Sequence, residues 1–238
     1  MENQVTLSRL LNQTFAEIAA HKRAIALFFA VMIPISALGA FLSPEESENF
    51  GMNFGFMIDE ETLARGWGVV IGMIAAIVIG IVMTFYLYAA MVRDTVSPGF
   101  RRFWPWLGIY ILATLAIGLG FVLLIVPGLI LLTRWAAVLP LVIAGRVPAF
   151  DSFGASWNAV RGRSWSVFGA GFILVLGMIA LGIIVGLTTL AFDGPLTIIG
   201  AVIAGSVDAL GSVVFVAFSV GVYHLLFDDS EEMSQVFS

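Results

Sequence analysis

Cysteine is absent from this chain, which removes disulfides, thiolate zinc sites and iron–sulfur clusters from consideration. Histidine is nearly absent: His21 and His224 stand at opposite ends of the sequence, an inventory that predicts no His/Cys metal site. Charge is scarce too. Asp, Glu, Lys and Arg make up 11% of the 238 residues, against about 25% in ordinary soluble domains. With hydrophobic residues at 60% and a mean hydropathy of +1.04, the chain has too little polar surface for an aqueous globule. Enzyme signatures are also missing. There is no GxSxG, HExxH, Walker loop or complete GxGxxG, and no serine has a nearby histidine and acid in a catalytic order. The sequence therefore predicts no catalytic residue, no cofactor and no metal. The net charge of −5 comes from acids gathered in one loop and the tail, and it predicts no nucleic-acid binding.

What the chain has instead is long apolar runs. A helix needs about 20 apolar residues to cross a hydrocarbon core of about 30 Å, and the sequence divides into six such spans: 24–42, 67–92, 104–126, 129–145, 165–187 and 195–227. The expected fold is an all-α six-transmembrane-helix bundle, preceded by a cytoplasmic amphipathic helix over 1–23 and followed by an acidic cytoplasmic tail over 228–238. The apolar stretch from Trp104 to Gly145 is too long for one crossing, and Pro127-Gly128 is the expected turn between spans three and four. Span five follows Arg161, Arg163 and Ser164, the last a candidate N-cap. The final stretch exceeds one simple crossing, so tilt, a kink at its glycines or an interfacial turn is expected.

Lys and Arg flanking membrane spans are retained on the cytoplasmic side. Arg9, Lys22 and Arg23 precede span one, Arg93, Arg101 and Arg102 join spans two and three, and Arg146, Arg161 and Arg163 join spans four and five. All nine then face inward, with both termini cytoplasmic, while the outer connections carry Arg65 among Glu45, Glu46, Glu48, Asp59, Glu60 and Glu61, and then Asp193. Reading 104–145 as one kinked helix would reverse the Arg146/Arg161/Arg163 cluster. Ser36-Ala37-Leu38-Gly39-Ala40 has the small residues of a signal-peptidase site, but the polar segment before Lys22 is long for such a signal, and span one is expected to be retained.

Two segments have the pattern of interfacial helices. In the first, Val5, Leu7, Leu10, Leu11, Phe15 and Ile18 recur on one side, with Asn3, Arg9, Asn12, Gln13 and Glu17 largely opposite. In the second, Phe150, Phe153, Trp157 and Val160 repeat at helical spacing while Asp151, Asn158 and Arg161 face away, with Pro148 opening the segment and Gly162 closing it. Anchorage is the expected role of both, and a protein partner at these cytoplasmic helices is the alternative. Most of the 25 glycines sit inside spans. The pairs Gly68/Gly72, Gly182/Gly186 and Ala201/Gly205 have the small-residue spacing that lets membrane helices approach, within the bundle or in an oligomer.

Two ionisable residues fall inside spans. A charge there costs about 2.5–3.5 kcal/mol on insertion scales, so Arg134 and Asp208 are candidates for an intramembrane polar pair. Counted from the cytoplasmic span ends at about 1.5 Å per residue, they lie roughly 17 Å and 29 Å deep, a gap that helix tilt and the long arginine can reduce. A register-fixing pair or an arginine reaching towards headgroups is the plainer reading, and a substrate or proton path the sharper one. His224, beside Tyr223, reads as an interfacial anchor. The outer-loop acids and Asp228, Asp229, Glu231 and Glu232 read as solvated, since no cation-binding pattern is present.

The stretch from Val126 to Phe168 runs Val-Pro-Gly-Leu-Ile-Leu-Leu-Thr-Arg-Trp, then Leu-Pro140, Ala155-Ser-Trp and Arg161-Gly-Arg-Ser-Trp-Ser-Val-Phe. It resembles the membrane domain found beside bacterial glycerophosphoryl diester phosphodiesterases and its stand-alone six-helix inner-membrane relatives. Matching positions are Pro127, Gly128, Arg134, Pro140, Ser156 and Gly162. Ala144-Gly145 stands where relatives often place an acid, and the phosphodiesterase barrel, which alone takes about 250 residues, is missing. The resemblance implies a bacterial inner-membrane location and a topology, and it gives no ground for phosphodiesterase activity. Three functional readings follow. The first is a non-enzymatic protein of lipid or envelope homeostasis, or a scaffold, with membrane lipids as its partners. The second is a small transporter or channel with a polar route along Arg134 and Asp208. The third is a lipid-modifying enzyme, for which the sequence offers no site.

Overall fold

The computed structural model describes residues 5–42, 67–189 and 197–228, and among these every regular element is helical. Helices run α1 Leu7–Ala20, α2 Lys22–Leu42, α3 Trp67–Val92, α4 Phe103–Leu123, α5 Ile125–Arg134, α6 Val138–Ala144, α7 Asp151–Val160, α8 Ser164–Thr189 and α9 Thr197–Tyr223, which passes into a π-helical turn, His224–Asp228. The chain is a multi-pass membrane protein. Trp67–Val92, Phe103–Leu123, Ile125–Ala144, Ser164–Thr188 and Ile199–Phe227 are each long and apolar enough to cross a bilayer, where a helix is favoured because it satisfies its own backbone groups. The first expected span lies in α2, which contains Pro34 and meets that test only together with α1, the two being bent by 77° at His21. Residues of the first outer loop, Asp193 and the tail beyond Asp228 lie outside the described residues.

The chain divides into two compact units. One comprises residues 1–24, 85–175 and 214–238, the other 25–84 and 176–213. In the first, Leu10 of α1, Ala137 just before α6, Leu141 of α6, Val160 of α7, Val167 and Ala170 of α8, and Phe218, Val222 and Leu225 form a buried cluster. Beside it the ring of Trp106 stacks on Tyr110 at 5.1 Å and meets Phe85 edge-on at 5.3 Å. Close packing rather than water exclusion has to hold such contacts where lipid is the alternative surrounding.

The reversal between α4 and α5 does not occur at Pro127-Gly128. Leu124, extended at φ −162°, separates the two helices, and Pro127 and Gly128 lie inside the first turns of α5. Proline is tolerated there because the first N–H groups of a helix have no partner to lose. Gly128 serves the close approach of backbones instead: a Cβ added at Gly120 would stand 3.0 Å from the Gly128 Cα.

In the second unit, Gly205 of α9 sits against α2, where an added Cβ would come within 2.8 Å of the Ser36 Cβ. Gly68 and Gly72 have open space at the same position, so their spacing marks no helix contact among the described residues. Gly205→Leu should therefore lower stability in detergent by about 1–3 kcal/mol, the usual cost of overpacking, while Gly72→Leu should melt like the wild type. Equal melting of all three proteins would mean that α2 and α9 do not approach closely.

Candidate functional site

The span from Ile125 to Ala144 is broken at Trp135-Ala136-Ala137, and one of the two polar centres of the first unit gathers at the break. Pro140 accounts for half of it. In a continuous helix the N–H of residue 140 would donate to the carbonyl of Ala136, and proline has none. The Ser219 hydroxyl of α9 donates to that orphaned Ala136 carbonyl instead. Ser156 of α7 handles the other side: its hydroxyl donates to the Arg134 carbonyl at 2.8 Å and accepts from the Ala137 N–H at 3.3 Å. Both serines are buried. Irregular backbone at membrane depth is tolerated where protein groups of this kind satisfy it.

Arg134 ends α5 at the same break. Its guanidinium donates to the Trp157 carbonyl at 3.3 Å and lies 5.1 Å from the centroid of the Trp157 ring, a cation–π geometry. Arg134 is thus held within its own unit, whereas Asp208 belongs to the other, on α9 beside Ser212, whose hydroxyl donates to the Asp208 carbonyl at 3.3 Å. Gly162 follows α7 at φ +86°, a backbone that glycine adopts without strain.

A second polar centre lies on α1, and here expectation and structure part. Glu17, expected on the polar side of an amphipathic helix, is 5% exposed, whereas Phe15, expected on the apolar side, is 57% exposed. Leu10, Thr14 and Glu17 make the inward face. Both histidines of the chain converge on this carboxylate. His224 Nδ1 stands 2.7 Å from Glu17 Oε1, Gln13 donates to the same oxygen at 2.8 Å, and His21 Nδ1 lies 3.6 Å from Glu17 Oε2. His21 Nε2 in turn lies 3.3 Å from the exposed Asp94 carboxylate.

Burial is the largest influence on the Glu17 carboxyl and raises its pKa. The hydrogen bond and charge of His224, the Gln13 amide and the charge of His21 together outweigh it, and Glu17 is held below the ordinary carboxylate range. This network ties α1 to the end of α9, where Gly221 lets Gln13 and Thr14 approach: a Cβ there would meet the Gln13 Cγ at 3.4 Å. Among the described residues no group of three or more His, Cys, Asp or Glu is arranged to hold a metal ion.

Neither Ser219 nor Glu17 stood out in the sequence as a site residue. Ser219 had a signal, a hydroxyl in the apolar run Val216-Ala217-Phe218-Ser219-Val220. Glu17 had a fainter one, since Gln13, Glu17 and His21 are spaced i, i+4, i+8 on one helix face. Comparison with protein-family models, curated proteins and solved structures found no match to this chain.

Proposed function

We propose that the chain is a six-span protein of the bacterial cytoplasmic membrane, with both termini in the cytoplasm and α1 and α7 lying in the inner interface. On this reading it acts without catalysis, organising lipids or envelope partners at that face. The observation that carries it is the partition of charge. Arg9, Lys22, Arg23, Arg93, Arg101, Arg102, Arg134, Arg146, Arg161 and Arg163 all fall in the first unit, and the described part of the second has no Lys or Arg and Asp208 as its one acid. The units follow from how the chain packs, so the gathering of these cations in one unit supports its cytoplasmic placement.

The likeness to the phosphodiesterase-associated membrane domain is part of the same proposal. It is supported by the work that the shared positions do: Pro140 and Ser156 at the break, Gly128 of α5 in close approach to Gly120 of α4, and Arg134 of α5 bonded to Trp157 of α7.

A transporter is the second reading, and the interrupted span favours it because discontinuous helices line many substrate sites. Against a polar route stands the saturation of the break by Ser156, Ser219 and Trp157.

The natural absence of cysteine makes the topology testable without background labelling. Single cysteines at Ser8 and Ser234 should react with an impermeant maleimide in inside-out vesicles and stay unlabelled in intact cells, while one at Ser47 should behave in the opposite way. Labelling of either terminus in intact cells would overturn the reading. Solute flux through purified protein in liposomes above that of protein-free vesicles would favour the transporter.

A further inference from the structure

Six arginines of the first unit, from the α3–α4 loop and the segments on either side of α7, divide into two sets. Arg93 donates to the Pro98 carbonyl and, at 2.9 Å, to that of Arg101. Arg102 donates to Val142 at 3.2 Å and Gly145 at 3.5 Å, a cation at the C-terminal carbonyls of α6, and its guanidinium occupies the space that a Cβ at Gly145 would need. Arg146 donates to the Phe227 carbonyl at 3.3 Å. These arginines hold the fold. Arg101, Arg161 and Arg163 are exposed, and their side chains make no hydrogen bond or ion pair with any described residue.

The second set is placed among exposed aromatic rings. Arg101 lies between Phe100 and Trp104, the latter 77% exposed, and Arg163 precedes Trp165, which is 85% exposed. Rings of this kind favour the headgroup level of a bilayer. Arg93 draws the α3–α4 loop together so that several cations stand close. After burial, the positive charges of Arg101 and Arg102 are what pull the Arg93 guanidinium below its ordinary value. The acids in these segments do not offset that excess: Asp94 faces His21, and Asp151 is a single exposed carboxylate at the start of α7.

We propose that the α3–α4 loop and the α7–α8 corner bind the headgroups of anionic phospholipids, with Arg101, Arg161 and Arg163 supplying the charge and Trp104 and Trp165 seating beside the acyl-glycerol region. Juxtamembrane Lys and Arg attract anionic lipid over zwitterionic lipid, and an unpartnered guanidinium is suited to a phosphodiester because its fork matches two phosphate oxygens. The proposal rests on the membrane reading above.

Its test is a titration of the purified protein in neutral detergent with short-chain phosphatidylglycerol and with phosphatidylcholine of the same chains. Phosphatidylglycerol should bind at least about tenfold more tightly, and the combined Arg101→Gln, Arg161→Gln and Arg163→Gln variant should lose that preference while melting like the wild type, because none of the three exposed side chains makes a hydrogen bond or ion pair with a described residue. Excess inorganic phosphate should not displace the lipid. Equal binding of the two lipids, a variant that keeps the preference, or full displacement by inorganic phosphate would each overturn the proposal. Failure of the membrane reading would show separately, as a protein that stays monodisperse without detergent.

Discussion

Replacing Ser219 with alanine is expected to destabilise the first unit by about 1–3 kcal/mol, the cost of leaving a buried carbonyl without a donor. The Ala136 carbonyl has lost its helical partner to Pro140, and the next backbone bond in register, Leu141 N–H to the Ala137 carbonyl at 3.2 Å, shows where the missing N–H would have pointed. The assignment therefore makes a second, sharper demand. Pro140→Ala restores an N–H aimed at Ala136, so Ser219→Ala should cost less in that background than in the wild type. Unfolding of the four proteins in a common detergent closes the cycle. Additive costs would mean that Ser219 and Pro140 do not share the Ala136 carbonyl, and the account of the break would fall. Ser156→Ala should cost a similar amount by another route, since it strips both the Arg134 carbonyl and the Ala137 N–H.

These same residues mark how far the sequence could be read. The long apolar helices, α3 among them, were legible because lipid leaves a chain few ways to satisfy its backbone. The break at Trp135-Ala136-Ala137 was not legible, because nothing in an apolar run distinguishes a satisfied interruption from a continuous turn; only Pro140 hinted at it. Pro127-Gly128 misled for the opposite reason. It has the composition of a turn, but proline fits the first turn of α5 and glycine was needed for contact with Gly120. On α1, amphipathic periodicity put Glu17 outward because carboxylates usually face water, and it could not foresee a partner more than 200 residues away at His224. Distance along the chain had separated the two histidines that packing brings to one carboxylate.

That carboxylate sets the last expectation. Glu17→Gln keeps the shape of the side chain and removes its charge, so the bonds from His224 and Gln13 lose their ionic character, and a loss of about 1.5–3 kcal/mol at neutral pH is expected for hydrogen bonds to a charged group. The pH dependence has a definite sign. Because Glu17 is held below the ordinary carboxylate range when folded, its contribution is present above that range and is lost as pH falls through the depressed folded value. Wild-type protein should therefore lose stability through that acid window, and the Glu17→Gln variant should lack that part of the loss. Since the network joins α1 to the end of α9, its weakening should also free α1 first. A cysteine at Thr14, buried in the folded protein, should react faster with a maleimide in the Glu17→Gln background than with Glu17 intact. Parallel acid profiles together with unchanged labelling rates would show that Glu17 does not hold α1 in place.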